Sequence, residues 1–293
     1  MAIKISEKSL EMIPHNCIVK LQAIYDTLKT AEKKVADLLL EKPDFFANAT
    51  IVEVADEAGC SEATIVHLAR KLGYSGYHEL KSILIEGRKD NPTYLYKEIT
   101  EGDSYEQVIK KVFRASIHAL EDTLNVLDMG EYKRAVDAIC NAQKIVLCGV
   151  GDAATVARSG YLKFFRIGLN VQMSDDLDVQ LMSVSHLSKG DVVIAISHTG
   201  KTKSILEVVK YAKAVGATII CITNYPVSPL AKHSDIVLLT ATFAEHVKGE
   251  VISKRVAELC IIESLYVNIL LNRKDKLAKN LDKSNLALEL NKV

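Results

Sequence analysis

Apolar positions fall into two textures along the chain. Over 20–86 they recur at spacings of three and four, as one face of an amphipathic helix requires. Val35, Leu38 and Leu39 share such a face, on a helix read as starting at Thr30, whose hydroxyl would cap the first orphan N–H groups. Residues 87–106 hold two glycines, a proline and many charges without a period, and read as a linker. Helical texture returns over 107–142. From 144 the pattern changes again: short apolar runs at 144–150, 170–173, 191–197, 218–223 and 235–239 alternate with amphipathic stretches at 153–166, 178–187, 203–215 and a short one from 228. Three of these runs are rich in Val and Ile with little polar alternation, as in parallel strands buried on both faces. The prediction is an all-α N-terminal part, then a Rossmann-like α/β part with a parallel sheet flanked by helices. A long helix over 251–271 follows. The polar, lysine-rich tail beyond it reads as an extra helix or a frayed end.

Residues 51–74 (IVEVADEAGCSEATIVHLARKLGY) put Ala55 four residues before Gly59 and Ile65 six after it. Two helices meeting at a tight turn need that set: a small residue for close approach, a glycine for the turn and an aliphatic plug. Ser61 is placed to cap the second helix. On that helix Ile65, Leu68 and Leu72 share one face; Ala63, His67 and Arg70 point away from it, with Thr64 and Lys71 on the flank. The functional reading is a recognition helix whose first residues face base edges while Arg70 and Lys71 meet phosphates or guanines. The same spacing also fits any small three-helix domain.

Composition adjusts this picture. A length of 293 residues suits two domains, at roughly 100–200 residues each. Thirty-seven basic residues balance thirty-seven acidic ones, so no global field steers the protein toward nucleic acid or membrane. Residues 1–90 hold twelve Lys/Arg against fourteen Asp/Glu, which argues against non-specific nucleic-acid coating. Yet 63–89 sets Arg70, Lys71, Lys81, Arg88 and Lys89 against Glu79 and Glu86, a local net of plus three that suits a sequence-specific reader. The six cysteines form no C-x-x-C pair, which excludes the common zinc and thioredoxin signatures; reduced structural thiols and no metal are expected. MAIKISEKSLEM lacks the apolar core of a signal peptide, and Glu258 and Glu263 interrupt 256–271, so a cytoplasmic protein without a membrane span is expected.

Two loops follow predicted strands at their carboxyl ends, where open α/β sheets bind ligands. In the first, Gly149, Val150, Gly151 and Asp152 lead into a helix whose N–H groups can face an anion. It lacks the third glycine and the ribose-binding acid of a dinucleotide site, so no cofactor is expected. The second, Ser197-His198-Thr199-Gly200-Lys201-Thr202, packs three hydroxyls, a glycine and an ammonium before a helix. Hydroxyls and N–H groups there can surround a phosphate, with Lys201 as countercharge. A Thr-capped turn is the plainer alternative, but three hydroxyls exceed what a cap needs.

These segments carry a resemblance. ATIVHLARKLGYSGYHELK resembles the helix-turn-helix domain of the RpiR (MurR-like) family of bacterial sugar-responsive regulators. DVVIAISHTGKTKSI, NYPVSPLAKHSDIVL and ISKRVAELCIIESLY look like the sugar isomerase (SIS) domain that follows it in that family. The resemblance implies a DNA-binding domain over 1–86, a linker over 87–106, a SIS domain with leading helices over 107–275 and a polar tail over 276–293. It implies a transcription factor that binds operator DNA and a phosphosugar effector. The implied phosphate loop is Ser197, Thr199, Gly200 and Thr202 with Gly149 and Gly151 opposite; Glu245 matches an acid after the last strand, and Arg255 an arginine of the final helix. His67 stands where the family usually has arginine, Leu68 where phenylalanine is usual, Ala153 where serine is frequent and Asp178 where histidine is common, while Gln180 is kept.

An aldose–ketose phosphosugar isomerase is the rival, because one fold hosts both functions. Its base and acid would come from Glu245, His246 and His198, with Lys201 as electrostatic partner. A metabolic isomerase has no evident need for residues 51–74, so no catalytic residue is assigned. A single recognition helix gives limited affinity, which implies a homo-oligomer, dimer or tetramer, on a palindromic operator.

Overall fold

The computed structural model describes residues 13, 15–86, 99–242 and 253–291. The chain divides into two compact units at Ala115/Ser116.

The first unit contains α1 (His15–Ile24), a single 3-10 turn (Tyr25–Thr27), α2 (Thr30–Glu41), α3 (Pro43–Asn48), α4 (Ile51–Ala58), α5 (Glu62–Lys71) and α6 (Tyr77–Glu86). α2 does start at Thr30, but Thr30 is already helical and its hydroxyl is not the cap. Lys29 takes the cap position, and its N–H donates to the Glu32 carboxylate (2.8 Å). At α4, Thr50 and Glu53 bind each other's backbone N–H groups, which satisfies two orphan donors. Pro43 opens α3, where a missing N–H costs nothing. Val35, Leu39, Phe46, Val54, Ile65, Leu68 and Leu80 are fully buried in one core. The Tyr77 ring meets Phe46 edge-on, and its hydroxyl reaches the Phe46 (3.1 Å) and Ala49 (2.8 Å) carbonyls.

α7 (Tyr105–Val126) spans the division, and α8 (Met129–Asn141) follows. The continuous helical texture of 107–142 is thus broken at Asp128, whose Oδ1 accepts from the N–H groups of Gly130 (2.7 Å) and Glu131 (2.9 Å) and starts a new helix. The second unit then runs β1 (Ile145–Cys148), α9 (Asp152–Arg166), β2 (Val171–Met173), α10 (Leu177–Ser185), β3 (Val192–Ile196), α11 (Lys203–Ala214), β4 (Thr218–Thr223), α12 (Pro229–His233), β5 (Ile236–Leu239), α13 (Lys254–Asn272) and α14 (Lys274–Glu289). The five strands are all parallel in the order β2-β1-β3-β4-β5, with Leu147 beside Ile194 and Ile194 beside Ile220.

Alternate strand residues face two separate cores. Ile145, Leu147, Ile194 and Ile220 pack with Ile139 of α8, Val156 and Phe164 of α9 and Ile262 and Leu265 of α13. Val146, Val193 and Ile219 pack with Val208, Val209 and Ala212 of α11. Every residue of β3 is buried, as its polarity-free run requires. The tail is a helix, held by polar contacts at the end of α9: Asn280 Nδ2 donates to Ile167 O (3.1 Å) and Ser284 Oγ to Arg166 O (2.8 Å), beside buried Leu277. Those carbonyls are orphans of the last turn of α9, so α14 completes it. No helix among the described residues is long and apolar enough to cross a membrane.

Chain order places the ligand crevice. From β1 the chain goes one way to β2; from β3, the neighbour of β1 on the other side, it goes the opposite way to β4. The loops after β1 and β3 therefore part at a topological switch point, where the carboxyl ends of the strands leave a crevice.

Candidate recognition helix and anion site

In the first unit, α4 ends at Gly59 in the left-handed conformation (φ 59°, ψ 49°). Cys60 N–H then returns to Ala55 O (2.9 Å) and Gly59 N–H to Asp56 O (3.1 Å), the two bonds that close a glycine-ended helix. This turn sets α5 against α4. Ile65, Leu68 and Leu72 are buried as expected, while Ser61, Ala63, His67, Arg70 and Lys71 are exposed and Thr64 is half-buried. Ser61 holds the cap position of α5 but makes no cap bond; its hydroxyl pairs with Thr64 Oγ1 at 3.0 Å, so the expected capping role is corrected. Among the described residues Arg70 makes one long hydrogen bond, from Nε to Ser75 O (3.4 Å). Lys71 differs: its ammonium lies 2.7 Å from Glu32 Oε2, on a carboxylate that is 7% exposed. Burial raises the Glu32 pKa, but the bonds from Lys71 and Lys29 N–H more than offset it and hold the acid below its ordinary range. Lys71 therefore ties α5 to α2.

In the second unit, both loops line the switch point. A side chain on Gly149 would stand 2.7 Å from Ala153 O, so only glycine lets the first loop turn into α9. Gly151 holds the cap position of α9 with φ 57° and has no side chain to accept from the first-turn N–H groups. Gln180 of α10 crosses to this loop: its Nε2 donates to Gly149 O (3.2 Å) and Ser174 O (2.8 Å), and its buried Oε1 has no partner among the described residues.

The second loop leaves β3 at Ser197, which is buried. Gly200 has φ 61°, and a Cβ there would stand 2.2 Å from Ser228 Oγ. Leu230 N–H binds Gly200 O (3.0 Å) and pins the loop from α12. Thr202 occupies the cap of α11 but makes no cap bond; its hydroxyl lies 3.0 Å from Ser197 Oγ. Thr199 Oγ1 accepts from Lys201 N–H (3.3 Å), and the Lys201 side chain is exposed. Asp178 is exposed in the first turn of α10, where Asp176 is the cap, accepting from Val179 N–H (2.9 Å).

The start of α13 brings further charge to this edge. Arg255 Nε donates to Asp152 Oδ2 (3.0 Å), its NH1 pairs with Glu258, and Lys254 lies 3.8 Å from Asp152. Glu258 is fully buried and faces His198 Nδ1 at 3.9 Å. Burial pushes the Glu258 carboxyl up to about 7 against the pull of Arg255, and pushes His198 down to about 4, with Arg255 and Lys254 adding to that fall. In the sequence, Glu258 registers only as a break in an apolar run; the usable signal was an acid one helical turn after an arginine. Glu245 and His246 lie outside the described residues. No group of three or more metal-ligating side chains occurs among the described residues.

A helix-turn-helix unit and a parallel α/β unit with a polar switch-point crevice define a two-part regulator of transcription. The comparisons agree. Residues 15–89 match the rpiR-family helix-turn-helix domain, and residues 138–268 match the SIS domain. The chain is 34% identical to an uncharacterised HTH-type transcriptional regulator of Thermotoga maritima, over 92% of this chain and 97% of that one. It is 32% identical to the HTH-type transcriptional regulator HexR of Escherichia coli, over 94% of each. Among solved structures it is similar to the Vibrio vulnificus NanR protein complexed with ManNAc-6P, with 25% identity, a TM-score of 0.59 and coverage of 93% and 97%. The chain belongs to the rpiR family of helix-turn-helix transcriptional regulators and carries a SIS domain.

Proposed function

We propose that this protein binds operator DNA through α5 and senses a phosphorylated sugar or amino sugar in the crevice of its SIS domain. The observation that carries the ligand half is the Ser197–Thr202 loop. Its hydroxyls stand at the start of α11 without capping it, which leaves them to an anion at the helix N-terminus. Lys201, Gly149 and Gly151 complete that surround, and Glu245 belongs to the same proposal. The NanR complex with a phosphorylated amino sugar supports this ligand class. Ser61, Ala63, Thr64, His67 and Arg70 form the DNA-facing surface, and Lys71 holds α5 in place through Glu32.

The domain assignment follows: DNA binding over 1–86, a linker over 87–106, ligand binding over 107–275 and the tail beyond. The working unit is a homo-oligomer in the cytoplasm, where its operator lies. The protein does not turn its effector over. Aldose–ketose isomerisation needs a base poised over the two reacting carbons, and the buried Glu258 beside the loop is paired with Arg255 instead.

The test is a thermal-shift screen against hexose, pentose and amino-sugar phosphates. One compound should raise Tm saturably while its unphosphorylated parent does not; at a hundredfold excess over Kd the stabilisation is about 2.7 kcal/mol. Replacing Ser197 and Thr199 together with alanine should remove the shift and spare operator binding. No shift across the panel defeats the ligand half, and aldose–ketose conversion of the hit, followed by NMR, defeats the non-enzymatic half.

A further inference from the structure

The crevice holds a pair that neither capping nor packing explains. Glu258 is fully buried on α13, and its Oε1 has no hydrogen-bond partner among the described residues. His198 Nδ1, 3.9 Å away on the β3–α11 loop, is also buried and without a partner among those residues. With its proton on Nε2, the neutral His198 ring presents Nδ1 as an acceptor, as the carboxylate does, and one further proton placed between the two satisfies both. Leaving both unmet in a dry site costs stability.

Among the described residues, the charges around the pair come from α9 and α13. Glu258 Oε2 is held by Arg255, whose Nε reaches across to Asp152 at the start of α9, with Lys254 also near Asp152. Farther along α13, Lys163 of α9 pairs with Glu263 (2.8 Å), and α8 meets α13 through Tyr132 and Asn268 (3.0 Å). The Tyr225 ring touches His198 edge-on at 6.0 Å. Burial leaves Glu258 near 7 and His198 near 4, so the carboxyl is the member that gains a proton close to neutrality.

We propose that Glu258 is a proton-gated positioning residue of the anion site. An anion at the Ser197–Thr202 loop draws Arg255 to itself and removes the countercharge of Glu258. The carboxylate then takes one proton from solvent and donates its O–H to His198 Nδ1, which fixes the loop against α13. The inference rests on the reading of that loop as a phosphate site.

Anion binding thereby takes up a proton, and affinity falls as pH rises. Below the free-state pKa near 7, Glu258 already carries the proton and affinity is level. Above it, each bound anion must bring one. For uptake of one proton by a group near 7, affinity drops by at most about fivefold between pH 7 and 8 and about twofold between pH 6 and 7.

Sulfate is the suitable probe, because it stays a dianion through this range and any titration belongs to the protein. Calorimetry on the full chain, in two buffers of different ionisation heat at fixed ionic strength, counts the protons. The wild type should take up close to one proton per sulfate at pH 8 and show the bent affinity profile. E258Q, whose amide donates to His198 without titrating, should show a flat one. Binding without proton uptake, or one profile shared by the wild type and E258Q, overturns the inference and leaves the phosphate site standing. Absence of binding by both sulfate and glucose 6-phosphate overturns the site and the inference together. Binding that survives replacement of Ser197 and Thr199 by alanine lies elsewhere and also overturns both. The wild-type proton count decides the matter even if the variant does not fold.

Discussion

A methyl group on Gly200 would collide with Ser228 Oγ at 2.2 Å while the backbone holds φ 61°. Neither strain can relax alone, because Leu230 N–H fixes the Gly200 carbonyl from α12. Gly200→Ala should therefore lower stability by about 2–3 kcal/mol and abolish the ligand-induced shift, both read in one melting experiment. On α5, two neighbouring cations play opposite parts. Arg70→Ala should weaken operator binding without moving Tm, since its exposed side chain is held among the described residues by a long bond to Ser75 O. Lys71→Met should cost about 1–2 kcal/mol of stability, because it strands the nearly buried Glu32. The Glu32 pKa is depressed in the folded state, so the Lys71 contribution is fully present above the ordinary glutamate range and disappears as pH falls through the lower folded value. The Tm gap between the wild type and Lys71→Met should hold from pH 7 to about 5 and close below about 4. Such roles were not legible in the sequence. Lys71 sits on the flank of the recognition helix by periodicity, and only the tertiary approach of α2 gives its charge a partner.

Elements buried on both sides were the legible ones. The runs behind β1, β3 and β4 are apolar between their ends, so their place in a parallel sheet follows from composition, and the switch point from strand order. The proposed anion loop rests on the same contrast: hydroxyls crowded after a dry strand have few structural uses. What escaped is held by polar backbone contacts. The start of α8 at Asp128 is hidden because amphipathic texture continues across it, although the acid three residues later, Glu131, matches a capping pattern. α14 looked like a tail because little of it is apolar; it is attached by Asn280 and Ser284 to carbonyls that sequence cannot mark as orphans. Ending the chain after Arg273 should expose those carbonyls and open the site of Leu277. The expected loss is about 2–4 kcal/mol, measured by urea unfolding, with Asn280→Ala alone accounting for about 1 kcal/mol. An unchanged midpoint would show that α14 packs without stabilising α9.

At the scale of the molecule, sensing and reading are coupled only if the effector binds two states of the protein with different affinity. The coupling is then reciprocal. If saturating effector changes operator affinity by some factor, saturating operator must change effector affinity by the same factor. Coupling energies typically run about 1–3 kcal/mol, or about 5- to 150-fold, which fluorescence anisotropy on labelled operator and calorimetry on the effector can both resolve. Net charge sharpens the measurement: the chain is neutral overall, so non-specific DNA binding should be weak and the operator term should dominate. Replacing Ser197 and Thr199 by alanine should abolish the factor in both directions, and Arg70→Ala should lower operator affinity while leaving the factor itself unchanged. Equal factors from the two measurements mean that one protein equilibrium links crevice and recognition helix. Unequal factors mean that the effector acts on the DNA or on assembly of the oligomer, and light scattering at the two effector concentrations tells those apart.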